Sequence, residues 1–125
     1  MMPERIDAAD GKNSLTVREG ILESFWRPGS FVDVDDAKDA MRAVNRIIDG
    51  RPMPMLSEMI DVEFSAAARV EFAKSTAVLA IAVLGSSAVD RVIAAATSRH
   101  THYPHEFFTS RTAAVTWLSG FMQAD

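Results

Sequence analysis

The chain has 125 residues, with 17 acidic and 13 basic side chains, a formal net charge of -4 and no cysteine. That length suits one domain with a core of its own, and the missing cysteine excludes a disulfide framework, a thiolate metal site and a cysteine nucleophile. The acidic balance shows no basic patch for nucleic acid. With no signal-like segment, the expected setting is the cytoplasm.

Residues 1–13, MMPERIDAADGKN, mix both charge signs without an apolar run and read as a mobile leader. LTVR at 15–18 and ILESFW at 21–26 flank Glu19-Gly20, a spacing that predicts a β-hairpin. A two-residue loop places Leu15, Val17, Leu22 and Trp26 on one face, toward the core. Ile21 and Phe25 then lie on the other face, which predicts a homodimer contact through the hairpin's outer side.

Asp33 and Asp36 form a capping pair before a helix whose Ala37, Ala40, Met41, Val44, Ile47 and Ile48 recur at helical spacing, ended by Gly50 and Pro52. Its Arg42, Arg46 and Arg51, matched by Asp35, Asp36, Asp39 and Asp49, read as a solvated face. In MPMLSEMI, at 53–60, Pro54 places the strand start at Met55. Ser65 caps a short helix, AAARVEFAK. The apolar run 77–84 is too short to span a membrane and reads as a central parallel strand buried on both faces, closed by Gly85. Ser87 with Asp90 opens another helix, with Val89, Val92, Ile93 and Ala96 as its spaced apolar set. EFFT at 106–109 reads as a strand, and Ala114, Trp117, Leu118 and Phe121 as the inner stripe of a last helix. The order β-β-α-β-α-β-α-β-α implies a single mixed sheet covered by helices, an α/β domain over 14–123.

Several stretches, in order, resemble a known group: Trp26-Arg27-Pro28-Gly29; Ala37, Ala40, Val44 and Asn45; Gly50-Arg51; Pro54-Met55-Leu56; Glu58-Met59; Ala68-Arg69; Gly85-Ser86; Val89 and Arg91-Val92-Ile93-Ala94; Phe107-Phe108-Thr109; Ala114 and Trp117-Leu118. The chain is similar over about 15–120 to an uncharacterised actinobacterial family with a STAS-like or CRAL-TRIO-like fold. The resemblance implies the fold of bacterial anti-sigma factor antagonists, which bind protein partners and are switched by serine phosphorylation. It brings no catalytic residues.

No candidate site survives its bland alternative. His100, His102 and His105 crowd one loop without a recognised ligand spacing, so a metal-free loop is expected. Alternation sends Ser57 and Glu58 to opposite faces, and Glu58 is expected to accept loop amides. Gly85-Ser86-Ser87 stands where α/β sheets bind anions, but reads as a tight link and cap. Of the motif around the switch serine only Ser65 survives, preceded by Glu63-Phe64 and followed by alanines, so it is expected to be a structural cap. The expectation is therefore a non-enzymatic regulatory or scaffolding domain acting by protein contact, with no catalytic, cofactor or metal residues. The alternative is a small-ligand or lipid-binding domain, if the alanines at 66–68 and 94–96 leave a cavity beneath the helices.

Overall fold

The computed structural model describes residues 5–99 and 101–122. Six strands form one mixed sheet in the order β1-β2-β3-β5-β7-β8: β1 (Arg5–Ala8), β2 (Asn13–Arg18), β3 (Ile21–Trp26), β5 (Met53–Glu58), β7 (Val78–Leu84) and β8 (His105–Phe108). The first three are antiparallel, and β3, β5, β7 and β8 run parallel to one another. Two short strands, β4 (Phe31–Val32) and β6 (Glu63–Phe64), pair separately. The helices are α1 (Val34–Ile48), α2 (Ala66–Ala73), α3 (Ala88–Ser98) and α4 (Arg111–Ser119). No described helix is long and apolar enough to cross a membrane.

The expected single mixed sheet covered by helices is what forms. Alternation along each strand feeds two cores. On one face Leu22, Trp26, Met55 and Val83 pack with Ala40 and Val44 of α1, Ala68 of α2 and Ala94 of α3. On the other, Ile21, Leu56, Ala80, Ala82 and Leu84 pack under Ala114 and Leu118 of α4. The apolar run of β7 thus serves both layers, which is why it lacks polar alternation.

Four expectations are corrected. Residues 5–13 of the stretch read as a leader belong to the fold, because β1 pairs with β2 and the turn after it is tied to α1. The Ala9 amide donates to Asp39 Oδ2 at 2.7 Å, and Lys12 Nζ meets Asp36 Oδ2 at 2.7 Å. Asp36 and Asp39 are therefore anchors for a distant segment rather than members of a solvated face. Pro54 lies inside β5 rather than before it: the ladder to β7 shifts register between Met53 and Met55, and a bulge tolerates a residue with no N–H to give. The hairpin's outer face is also covered. Ile21 is only 6% exposed beneath α4, while Phe25 is 43% exposed, so of the two residues only Phe25 presents apolar surface to a partner.

The helix starts follow their caps. Asp33 accepts the Asp36 amide at 2.9 Å while Asp36 Oδ2 accepts the Asp33 amide at 3.2 Å, a capping box made by two carboxylates, with Lys12 offsetting the second charge. Backbone hydrogen bonding and the partner amide hold the Asp33 carboxyl below its usual range.

Candidate functional site

The parallel strands β5 and β7 end side by side, and their following loops meet at Asp90. This carboxylate is 4% exposed, although it sits in the first turn of α3. It accepts the Ser86 amide at 2.8 Å, the Asp61 amide at 3.0 Å and a longer contact from the Ser86 hydroxyl at 3.4 Å. Burial pushes the Asp90 carboxyl up, but these donors outweigh it and hold it below the ordinary carboxylate range. Ser87 Oγ accepts the Asp90 amide at 3.1 Å and completes the cap. Gly85 is required by close approach: a Cβ there would lie 2.7 Å from the Phe107 ring and 2.8 Å from Asp90 Cβ. The place where this architecture would receive an anion is filled by the chain's own carboxylate. The carboxylate that accepts loop amides is Asp90 and not, as expected, Glu58.

Reaching those amides fixes the rotation of α3. Asp90, Ile93, Ala94 and Thr97 turn inward, at i, i+3, i+4 and i+7, so the apolar set read from the sequence is off by about one position. Val89 and Val92, expected in the core, are each 67% exposed.

On the sheet face beneath α1 and α2 lies a cavity of about 60 Å³. Its walls are mainly apolar. Trp26, Phe64 and Phe72 stack edge-to-face around it with centroids 5.6–5.9 Å apart, and methionines 41, 55 and 59 fill in between. A polar row runs across its floor, because Ser24 of β3 is in register with Ser57 of β5 and Asn13 of β2 reaches Ser24. Asn13 is 1% exposed; its Nδ2 donates to Ser24 Oγ at 3.0 Å and to the Phe25 carbonyl at 3.1 Å. A carbonyl can only accept, so the amide orientation is determined. Asn13 Oδ1 then has no hydrogen-bond partner among the described residues.

Tyr103 and His105 close one end of the cavity. Burial pushes the Tyr103 phenol up to about 12 and the His105 imidazole down to about 4, so both are neutral at pH 7. His102 is exposed, and His100 lies outside the described residues. Among the described residues no three metal-ligating side chains converge.

Ser65 Oγ accepts the Ala68 amide at 3.1 Å and Ser65 has an extended backbone, the geometry of an N-cap. Ser65→Ala is expected to lower stability by about 1 kcal/mol, and Ser65→Asp, which keeps an acceptor, by less; chemical denaturation of the three proteins measures the order. A Ser65→Ala protein as stable as the parent would remove the capping role.

A solved structure supports the fold. A SpoIIAA-like protein of the DUF3478 family from Shewanella loihica PV-4, itself uncharacterized, is 12% identical, with a TM-score of 0.62 over 94% of this chain and 96% of that one. The chain therefore has the SpoIIAA-like, anti-sigma factor antagonist type of fold that its sequence motifs resemble. No curated protein matches it. The model of a domain of unknown function, DUF7793, matches residues 15–122, and the chain belongs to that family.

Proposed function

We propose that the chain is a non-enzymatic regulatory domain that acts by protein contact through the outer face of α3. The observation that carries this reading is the pair Val89 and Val92, one helical turn apart and each 67% exposed. Exposed β-branched side chains contribute little to helix stability, and here the helix is rotated by Asp90 so that they face outward together. Ala95, also exposed, continues the surface. Lone apolar residues on a surface are ordinary, whereas a pair in register on one helix offers a partner a place to bury area. The self-occupied amides at Ser86 and Asp61 favour contact over anion chemistry at the same end of the sheet.

Affinity purification from the native cells, with quantitative mass spectrometry, tests the proposal. Wild type is expected to retain a specific protein that Val92→Glu loses about tenfold or more, while Lys38→Glu on the exposed side of α1 keeps it. At so exposed a position Val92→Glu should change folding stability by no more than about 0.5 kcal/mol. Equal retention by Val92→Glu and wild type, or no retained protein at all, overturns the proposal.

A further inference from the structure

We infer that the cavity beneath α1 and α2 is a binding site for a small, neutral, phenol-sized molecule whose hydroxyl or N–H donates to Asn13 Oδ1. The inference is independent of the α3 surface. Three properties of the cavity set the ligand's chemistry.

The first is the orphaned acceptor. Asn13 lines the cavity and is buried, its Nδ2 is committed to Ser24 and to the Phe25 carbonyl, and its Oδ1 has no partner among the described residues. Such an atom loses its full hydration on folding and recovers it only from a donor. A ligand that offers O–H or N–H regains that interaction. A purely apolar ligand of the same shape does not.

The second is charge. No Asp, Glu, Lys or Arg lines the cavity, so a carboxylate, phosphate or ammonium group would be desolvated without a counter-ion. This sets aside fatty acids and phospholipid headgroups and favours a neutral guest.

The third is size and wall type. About 60 Å³ of space for water-sized spheres corresponds to roughly four to six waters, and so to a single ring with one substituent. The Trp26, Phe64 and Phe72 rings and the thioethers of Met55 and Met59 suit an aromatic body in that space. Two residues also mark a route of entry. Met41 and Ser75 line both the cavity and a polar surface hollow formed with Asn45, Glu71, Lys74 and Thr76, so rotation of the unbranched Met41 side chain would join the two.

Methyl-labelled methionine gives the test in the intact protein, since Met55 and Met59 line the cavity while Met122 lies at the far end of the chain. Phenol is expected to shift the Met55 and Met59 methyl signals saturably, with Kd of about 0.1–1 mM. Toluene, of similar shape but without a donor, should bind about fivefold or more weaker, and benzoate should not saturate. Asn13→Leu, which keeps the branching and the number of heavy atoms but offers no acceptor, should bring phenol and toluene to equal affinity. If that variant fails to fold, Ala40→Leu, which places three further carbons in the cavity wall, should abolish saturation by either compound. Failure of phenol to saturate those signals by about 10 mM, equal affinity for phenol and toluene in the wild type, or undiminished phenol binding in Ala40→Leu would each sink the inference.

Discussion

Asp90→Ala is expected to lower folding stability by about 3 kcal/mol. The carboxylate accepts two amides from two different loops, at 2.8 and 3.0 Å, and hydrogen bonds to a charged group contribute about 1.5–3 kcal/mol each. Ser86 and Asp61 are themselves exposed, so water can partly replace the lost acceptor, and the loss falls at the low end of the sum. Asp61 adds to the dependence, because it holds a left-handed backbone with φ 56 that its contact with Asp90 helps to maintain. Asp90→Asn keeps the shape but offers only one acceptor oxygen, and should lose about half as much. Because the folded carboxyl is held below its usual range, the part of its contribution tied to ionisation is fully present above pH 4 and is lost as the pH falls through the lowered value. Urea denaturation at pH 7 and pH 3 should therefore show wild type and Asp90→Ala converging in acid. A variant within 1 kcal/mol of wild type at pH 7 would mean that the two loops do not depend on this carboxylate.

Asp90 also marks the limit of what could be read from the sequence. Local chemistry was legible: Asp33, Ser65 and Ser87 all cap helices, and the apolar run 78–84 is a central strand. What failed was long-range. The inward turn of a charged residue in α3 depends on the Asp61 amide, 29 residues away in sequence, and counting apolar residues inverted the assignment for Val89 and Val92. The order of residues 5–12 depends on Asp39 in the same manner, with a partner 30 residues from Ala9.

The cavity was half legible. Alanines 66–68 and 94–96, where the sequence places space beneath the helices, do not line it, whereas Ser57, legible as a polar residue inside an apolar strand, does. Its polar partners were missed. Asn13 lies two residues before Leu15 and four before Val17, so period-two alternation already placed it on the core face. Reading the preceding residues as a leader hid that signal, and only the register of β2, β3 and β5 brings Asn13, Ser24 and Ser57 into one row.

His105 should make the protein acid-sensitive well above the range of its carboxylates. It stands opposite Ile81 at the start of β8, lines the cavity, and is pushed down to about 4 by desolvation. In the unfolded chain the imidazole returns to about 6.5, so between those values the unfolded state binds more protons than the folded one. Stability must then fall as the pH drops from 6.5 toward 4. At pH 5 the loss relative to pH 7 is about 2 kcal/mol for a fully shielded ring, and about 1 kcal/mol if water reaches the half-buried side chain. Tyr103, in the same wall and raised to about 12, stays neutral throughout and destabilises only above about pH 10, where the unfolded phenol ionises first. His105→Phe keeps a ring against the cavity and removes the proton site. Denaturation midpoints at pH 7 and 5 should separate clearly for wild type and only slightly for His105→Phe, while His102→Gln, at an exposed position, should behave as wild type. A wild type equally stable at both pH values, or a His105→Phe protein with the same acid loss, would show that the imidazole is hydrated in the folded state and that this end of the cavity is open to water.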